Sequence, residues 1–486
     1  MKNPPHASVL GRLGLACALF LGLSLAACQK EAPPGSIAGD DVELALKTLA
    51  EAPTHGFAPG SFNEQRIRQL SESKSKADLK TRDRLLYAAL VSYSEAQHGL
   101  SIPKDQFPHT WGVRPKKYDA AVSLQQAVKE KKFKDWIAAQ PPAFPTYQAL
   151  QKAYVDYLNV SAAGGWPEVP KGVKLGATGP GVVALRQRLG VEDPLVRQVP
   201  TETPFDAALA QAVSRFQAAY GLKPTGQVDG ETLKALNIPV ITRAAQLRAN
   251  LERLRWLPRE EPPTRVDVNT AAQLFVYYED GQPKLSMLSA AGKPGDETPM
   301  LMSKIDNIVL NPPWNVPEGI AQEELYPKGE AYLAANNFTN VDGRLVQRPG
   351  PESALGLVKF DFDNPYAVYL HDTPAKAAFN RSQRAVSHGC VRLQHALQFA
   401  QVLLSREPGW SGDRMNQVLA SRETTTVKLS KPVPVRLMYL TAFPEAGRTA
   451  FRGDIYGWDG ELLRLLDGAT IGKVAQTKTP ASARRG

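Results

Sequence analysis

The sequence predicts a multidomain protein of the α+β class, with helices in its first half and strands in its second. A chain of 486 residues exceeds the usual size of one domain, so several domains are expected. In the first half, apolar residues such as Leu86, Leu90 and Tyr93 recur at helical spacing. From Thr264 onward the apolar runs are short and strand-like, and turn residues separate them.

The N-terminus has the features of an export signal. Lys2 and Arg12 provide positive charge, an apolar run follows, and small residues then precede Cys28. This pattern resembles a bacterial lipobox, so we predict a signal peptide over residues 1–27, lipidation of Cys28 and a tether over residues 28–40. The alternative is an uncleaved transmembrane anchor, for which the run is short because a span needs about 20 apolar residues.

These features place the mature chain in the cell envelope. Gln29 directly after Cys28 favours lipid anchoring in the outer membrane over the inner membrane, with the body of the protein in the periplasm. The net charge of +10 supports solubility and weak attraction to anions. We therefore expect an anionic cell-wall polymer or a membrane surface as partner, and no nucleic acid.

Export also singles out one thiol. Cys17 leaves with the signal and Cys28 is lipidated, so Cys390 has no cysteine left to pair with in the mature chain. Envelope compartments are oxidising, and an unpaired thiol is a risk there. A reactive role for Cys390 explains why the chain keeps it.

Two helical units precede the strands. Residues 41–165 are predicted as a helical scaffold domain, in which we find no catalytic constellation. Residues 170–240 are predicted as a compact unit with two amphipathic helices and a third, short helix. This unit closely resembles the small three-helix peptidoglycan-binding domain, on the evidence of Phe216-Gln217, Gly221-Leu222 and Thr225–Asp229. The resemblance implies a groove for wall glycan or peptide, and the alternative is a module kept for packing alone.

A mainly β domain is predicted over residues 263–460, after a linker helix at 241–262. One of its strands is expected to deliver His371. The Pro-, Gly- and Asn-rich stretch at about 315–352 is long for a loop, and we interpret it as an inserted lid that caps the domain. Residues 461–486 are predicted as a C-terminal tail.

Cys390 and His371 are the predicted nucleophile and general base. A thiol with a pKa of about 8.5 is mostly protonated at neutral pH, so a nucleophilic cysteine needs a base or a stabilised thiolate. His371 follows a predicted strand, which fixes its position. Its second ring nitrogen needs an acceptor, and either the Asp372 carboxylate or a local backbone carbonyl can provide it.

The neighbours of Cys390 are candidates for supporting roles. Gly389 allows close approach to the backbone, so the amides around Gly389 and Cys390 are candidate donors to an oxyanion. His388 is a candidate oxyanion donor or guide for the thiol, and Arg392 can hold a carboxylate. Ser387 is a candidate for orienting one of the two histidines.

A helix predicted from Gln394 to Leu404 starts just past Cys390, and its positive end is expected to favour a thiolate.

Two other interpretations of the cysteine compete with catalysis. An isolated cysteine is often a small buried hydrophobe, and a metal site is the other option. That site would combine Cys390 with His371, His388 and His395, whose spacing matches no common zinc pattern. We therefore expect no metal and no cofactor.

The Cys390 motif and several other segments resemble the L,D-transpeptidase signature of the YkuD-like catalytic domain, in its large YcbB-type subfamily. The segments are Leu310–Pro317, Pro349-Gly350-Pro351, Ala354-Leu355-Gly356, Tyr369–Pro374, Ser387–Arg392 and Arg452–Tyr456. The resemblance implies a helical scaffold, a peptidoglycan-binding domain and a YkuD-like catalytic domain with a capping region. It implies Cys390 as nucleophile, His371 as base, His388 and Gly389 in the oxyanion region, and Arg392 as the basic residue of the motif.

The resemblance also implies a reaction. Cys390 attacks the carbonyl between the third-position diamino acid and the fourth-position D-Ala of a tetrapeptide stem, and D-Ala leaves. The amine of a second stem then resolves the thioester, which gives a 3→3 cross-link. Carbapenems are expected to acylate the same thiol. Water, a free D-amino acid or an envelope-protein lysine stays open as acceptor, and so does a non-catalytic lipoprotein that tethers membrane to wall.

Two features depart from the family pattern. Ser353 stands where the pattern has Asn, so a substrate contact or a turn is expected to differ. The lipobox replaces the uncleaved signal-anchor associated with this subfamily, which again favours the outer membrane.

Overall fold

The computed structural model describes residues 37–477, with side chains described up to residue 468. The predicted signal peptide, Cys28 and most of the predicted tether therefore lie outside the described residues. Within the described part of the chain, no helix is both long enough and apolar enough to cross a bilayer. The fold combines α and β elements in the predicted order.

The chain is helical up to Arg255, and side-chain caps fix several of the helix starts. Asp119, Asp206 and Asp229 each accept a hydrogen bond from the backbone N–H three residues on, which pairs an N–H that the helix leaves free. The helices are α1 (Asp40–Glu51), α2 (Glu64–Ser71), α3 (Lys76–Gln97), α4 (Ala120–Lys129), α5 (Phe133–Ala138), α6 (Pro145–Ala162), α7 (Pro180–Gly190), α8 (Pro194–Arg197), α9 (Ala207–Ala219), α10 (Gly230–Leu236) and α11 (Val240–Arg255).

Strands dominate the rest of the chain. They are β1 (Arg265–Asn269), β2 (Leu274–Glu279), β3 (Gln282–Gly292), β4 (Leu301–Leu310), β5 (Trp314–Asn315), β6 (Phe338–Val341), β7 (Arg344–Gln347), β8 (Val358–Phe362), β9 (Leu370–His371), β10 (Ala385–Ser387), β11 (Val391–Leu393), β12 (Thr425–Met438), β13 (Ala442–Glu445) and β14 (Arg448–Phe451). The helices among them are α12 (Glu318–Ile320), α13 (Glu330–Ala335), α14 (Ala396–Leu404), α15 (Gly412–Ser421) and α16 (Trp458–Thr477).

Nine of these strands form one sheet in the order β10-β3-β11-β9-β8-β4-β12-β1-β2, and a further β2–β3 pairing closes it into a barrel. Closure pairs strands that would otherwise be free edges. Helix α14 completes the apolar core of the barrel. Its Phe399 packs against Phe275 and Phe360 with ring centroids 4.8 and 4.7 Å apart.

The predicted insertion is an ordered subdomain. Strands β5, β7 and β6 form a small antiparallel sheet, and short helical turns join β5 to β6. Val316, Leu325 and Phe338 belong to a separate hydrophobic cluster within this segment. The sequence did not predict this sheet because its strands are too short to show alternation.

Helix α11 is more than the linker predicted for residues 241–262. Polar as well as apolar side chains of α11 are buried, among them Asn250 and Glu252. Gln246 donates to the backbone carbonyls of Thr441 and Arg452 in the later half of the chain. The predicted helix is present, but its burial was not predicted, because polar residues normally mark a solvent-facing side, whereas here they bond to neighbouring elements. Helix α11 is a buried spine between the scaffold and the later strands.

The predicted tail at 461–486 is also corrected. Its first part continues α16, and Leu462, Leu465 and Leu466 are buried in the same core as α11. Buried Arg253 of α11 forms an ion pair with Asp459 of α16. The prediction gave the polar end of the chain too much weight and missed the apolar stripe before it.

Candidate active site

The pairing of β9 with β11 brings the predicted nucleophile and base to one face of the barrel. The two strands are parallel, with Leu370 opposite Val391 and His371 opposite Arg392. Leu370 and Val391 are both fully buried in the barrel core. Side chains alternate along a strand, so Cys390 and His371 both lie on the other face. They are one strand and two residues apart, a Cα separation of about 8 Å.

Cys390 is a free thiol on this face. Burial raises the pKa of the Cys390 thiol, while hydrogen bonds from the backbone and hydroxyl of Tyr369 and the charges of Lys359 and Arg392 act to lower it. The thiol is therefore protonated near neutral pH, and the groups that would stabilise its thiolate are already in place. Ionisation of Cys390 needs a base.

His371 can serve as that base because its ring is neutral. Burial, and then the positive charge of Arg392, lower the pKa of His371 to about 3, although backbone groups of Asp372 and Leu355 oppose the shift. Its Nδ1 atom is buried without a hydrogen-bond partner of normal geometry. The neutral imidazole has a free lone pair for a proton.

The Asp372 carboxylate does not orient His371. Its two oxygens accept from Lys376 Nζ at 2.5 Å and from the Leu357 N–H at 3.0 Å. The sequence left two acceptors open for the second ring nitrogen of His371. The structure places local backbone groups, those of Asp372 and Leu355, near this ring. Gly356 leaves room for the Asp372 carboxylate, because a Cβ at position 356 would lie 2.4 Å from Asp372 Oδ2.

The residue that departs from the family pattern shapes this turn. Ser353 is buried, and its backbone carbonyl accepts from the Gly356 N–H at 2.7 Å. Its hydroxyl accepts from the Leu355 N–H at 3.4 Å. Within the described structure, Ser353 therefore acts on the turn that carries Leu355 toward His371.

Gly389 holds the backbone beside the thiol in a conformation that other residues rarely adopt. Its φ is +102°, which favours glycine. Thr298 Oγ1 donates to the Gly389 carbonyl at 2.7 Å, which fixes the peptide plane. Among residues 37–477, no carbonyl accepts from the N–H of Gly389 or Cys390, so both remain candidate oxyanion donors.

Ser387 and α14 do not have the predicted contacts. The Ser387 hydroxyl donates to the Cys390 carbonyl at 2.5 Å and bonds to neither histidine, so it stabilises the motif's backbone. Strand β11 separates Cys390 from α14, which begins only at Ala396. The prediction that this helix end favours the thiolate is wrong, because the effect is confined to the first turn.

His388 faces the insertion. Its Nε2 lies 2.6 Å from Glu324 Oε1 and 3.4 Å from Lys293 Nζ. Glu324 belongs to the helical turns of the inserted subdomain, and Lys293 follows β3. His388 therefore connects the insertion to the Cys390 motif, and its Nε2 is not directed at an oxyanion.

Arg392 is placed as a carboxylate receptor. Its Nε is buried without a partner, and within the described chain no carboxylate forms an ion pair with it. Its charge acts on both Cys390 and His371. A substrate carboxylate near Cys390 would pair with this guanidinium.

Sequence reasoning missed Tyr369, which contacts the thiol, and Trp314, which contacts Tyr369. Tyr369 hydrogen-bonds to Cys390 and to Trp314, and burial raises its own pKa. Trp314 starts β5 and packs against the cluster of the insertion. Tyr369 was predictable, since it lies two residues before His371 on one strand face. Trp314 was not predictable, because its contact with Tyr369 joins the insertion to the barrel.

In the part of the chain that the structure describes, no three His, Cys, Asp or Glu side chains are grouped as a metal site would require. His371, His388, Cys390 and His395, the set of the metal hypothesis, therefore do not form such a group within these residues. His395 is the residue before α14, and its side chain makes no capping hydrogen bond to that helix.

Comparison with known families decides which domain carries this site. Residues 263–429 match the family described as YkuD, the L,D-transpeptidase catalytic domain. This confirms the predicted YkuD domain. Residues 36–153 match a family described as "Scaffold domain", and residues 178–236 match the "Putative peptidoglycan binding domain" family. The predicted order of scaffold, peptidoglycan-binding unit and YkuD domain is therefore found.

A curated relative from Haemophilus influenzae, named "Putative L,D-transpeptidase", is 36% identical over 240 residues. The match covers 45% of this chain and 48% of the relative, so the chain spans about half the length of that relative. Solved structures of L,D-transpeptidases from E. faecium, acylated by ertapenem, and from Mycobacterium smegmatis are 17% and 18% identical. They cover 37% and 36% of this chain, and 99% and 58% of their own chains, with TM-scores of 0.21 and 0.19. Scores this low support no further argument.

Replacement of Tyr369 by Phe tests whether the Tyr369 hydroxyl lowers the pKa of the Cys390 thiol. Loss of the hydroxyl removes a hydrogen bond that lowers the pKa of Cys390, so this pKa is expected to rise by about one unit. The measurement is the rate of alkylation of Cys390 by iodoacetamide against pH, followed by peptide mass. Tyr278→Phe, on β2, is the matched control and should leave the profile unchanged. An unaltered profile for Tyr369→Phe would contradict the assignment.

Replacement of Glu324 by Gln tests the contact between the insertion and the motif. The loss of charge weakens the Glu324–His388 contact, so the thiol is expected to become more accessible, with alkylation about two- to fivefold faster. Glu323→Gln changes a neighbouring exposed carboxylate in the same turn and serves as control. Equal rates in the two variants would show that the contact does not hold the insertion over the thiol.

Proposed function

We propose that this chain is an L,D-transpeptidase that forms 3→3 peptidoglycan cross-links through a thioester on Cys390. The observation that carries the proposal is the shared barrel face of Cys390 and His371, within a segment that matches the YkuD family. The thiol is partly buried and protonated, and the imidazole is buried and neutral. This is the protonation state in which a histidine acts as general base for a thiol.

In the first half-reaction, His371 takes the thiol proton as Cys390 Sγ attacks the carbonyl that precedes D-Ala. The Tyr369 hydroxyl and the Arg392 charge stabilise the forming thiolate. The N–H groups of Gly389 and Cys390 are the candidate donors to the oxyanion. The C–N bond then breaks, His371 returns the proton to the leaving amine, and D-Ala departs.

In the second half-reaction, the amine of an acceptor stem attacks the thioester. His371 takes a proton from this amine, a C–N bond forms, and the C–S bond breaks to restore the thiol. The inserted subdomain lies beside the motif through Glu324 and Trp314. Its cover limits water at the thioester, which matters because hydrolysis competes with the amine.

The reaction is tested with the full chain in detergent and purified tetrapeptide muropeptides, with products identified by mass. Wild type is expected to release D-Ala and give 3→3 dimers, while Cys390→Ala gives neither. His371→Gln should lose at least about a hundredfold in rate, the usual contribution of a general base. The proposal would be overturned by identical products from wild type and Cys390→Ala. The cross-linking assignment would be overturned if wild type gave only monomers, either hydrolysed or exchanged with a D-amino acid.

We also propose that the enzyme works in the periplasm, anchored to the outer membrane by lipid on Cys28. The small residues before Cys28 and Gln29 after it support this. In a diderm host, Cys28→Ala is expected to shift the chain out of the outer-membrane fraction, and metabolic labelling with a palmitate analogue should be lost. The Lys30→Ala variant is a control that leaves both unchanged. Labelling that persists in Cys28→Ala would exclude this anchor.

A further inference from the structure

Thr298 is fully buried beside the Cys390 motif, and its hydroxyl makes two hydrogen bonds. Thr298 Oγ1 accepts from the Gly292 N–H at 2.9 Å and donates to the Gly389 carbonyl at 2.7 Å. A carbonyl cannot donate and an N–H cannot accept, so the single hydroxyl proton points at Gly389. The two contacts together hold the Gly389 carbonyl in one direction.

The Gly389 carbonyl and the Cys390 N–H belong to the same peptide group. Such a group is planar and trans, so its C=O and its N–H point in opposite directions. Thr298 therefore directs the Cys390 N–H away from itself. Among residues 37–477, no carbonyl accepts from this N–H, which leaves it available to an oxygen of the substrate.

The peptide group on the other side of the Cys390 Cα is held in a similar way. The Ser387 hydroxyl donates to the Cys390 carbonyl at 2.5 Å, and the Ser387 carbonyl accepts from the Lys293 N–H at 2.9 Å. Hydroxyls thus fix the backbone both before and after the nucleophile. A donor that is fixed in advance needs no reorganisation when negative charge develops on the substrate.

Residues outside the YkuD match hold the loop that carries Thr298. Tyr456 Oη accepts from the Thr298 N–H at 3.3 Å and donates to the Gly292 carbonyl at 2.7 Å. Two residues after Thr298, the Met300 N–H donates to the Thr110 carbonyl at 2.8 Å. Tyr456 follows the matched segment, and Thr110 lies in the scaffold domain before it. The position of Thr298 therefore depends on both neighbouring segments.

We propose that Thr298 is a positioning residue for the oxyanion site, that the Cys390 N–H is the donor it directs, and that Tyr456 keeps Thr298 in place. The inference rests on the proposed function, because an oxyanion forms only when the thiol attacks a carbonyl. It selects one of the two N–H groups that are candidate donors. It also gives the segment after the barrel a role in the chemistry.

Two reactions of the same thiol separate this role from a general structural one. Acylation by ertapenem, a carbapenem, forms an S–C bond to the lactam carbonyl, breaks the lactam C–N bond and moves the thiol proton to the nitrogen. It passes through an oxyanion. Alkylation by iodoacetamide replaces iodide at a saturated carbon as the thiol loses its proton, and it forms no oxyanion. The ratio of the two rates therefore reports on the oxyanion site.

The test measures both rates by intact mass on the full chain in detergent. Thr298→Val keeps the shape of the side chain and removes the hydroxyl. Acylation is expected to slow by about tenfold or more, somewhat less than the loss of an oxyanion donor, while alkylation keeps the wild-type rate. Thr298→Ser retains a hydroxyl and should restore most of the acylation rate.

Two further variants complete the test. Tyr456→Phe leaves Thr298 intact but removes the hydroxyl that holds it, so acylation alone should slow by about threefold or more, the effect of one hydrogen bond. Thr270→Val is the matched control, because Thr270 is also fully buried and its hydroxyl donates to the Met438 carbonyl at 3.0 Å. The ratio of the two rates should not change in this control.

The inference would be overturned by wild-type acylation rates in Thr298→Val and Tyr456→Phe. It would equally be overturned if acylation and alkylation fell by the same factor, or if wild type were alkylated but not acylated. If Thr298→Val does not fold, the same criteria apply to Tyr456→Phe alone. Cross-linking is not measured here, so a wild type that is acylated but forms no 3→3 dimer would defeat only the proposed function.

Discussion

The parallel pairing of β9 with β11 is the constraint on which the site depends. Only two residue pairs form it, Leu370 with Val391 and His371 with Arg392. A slip of one residue would exchange the two faces of a strand, which would bury Cys390 in the barrel and expose Val391. The burial of Leu370 and Val391 in the core therefore fixes the outward direction of the thiol and of the imidazole.

The electrostatics of the site follow from that placement. Burial acts on both members of the pair toward the neutral form, raising the pKa of Cys390 and lowering that of His371. Arg392 and Lys359 add positive charge that favours a thiolate and disfavours an imidazolium. The chain thus keeps the thiol protonated at rest. It also stabilises the negative charge of the thiolate that forms when His371 removes the proton.

The spine helix α11 relates this site to the rest of the protein. It bonds to the segment after β12 through Gln246 and Asn250, and Arg255 donates to Tyr147 of α6 at 2.9 Å. The peptidoglycan-binding unit is fixed against the hairpin of β13 and β14 by the ion pair of Arg448 with Asp193 at 3.1 Å. Such contacts across the units fix the positions of the helical half and the strand-rich half relative to one another.

Much of this arrangement could be predicted from the sequence, because it depends on local pattern. The helical first half, several strands of the later half and the pair of Cys390 and His371 follow from periodicity and from one motif. What could not be predicted depends on contacts between distant segments. The partner of His388 lies in the insertion at Glu324, and the contact of Trp314 with Tyr369 crosses from β5 to the barrel. The burial of α11 and α16 needs neighbours that no local pattern reveals.

The most direct test of the central claim is intact-mass analysis of the full chain after incubation with a carbapenem. The account predicts one covalent adduct per chain, lost in Cys390→Ala and formed far more slowly in His371→Gln, since the neutral imidazole must accept the thiol proton. An unmodified wild-type chain, or an adduct that persists in Cys390→Ala, would contradict it.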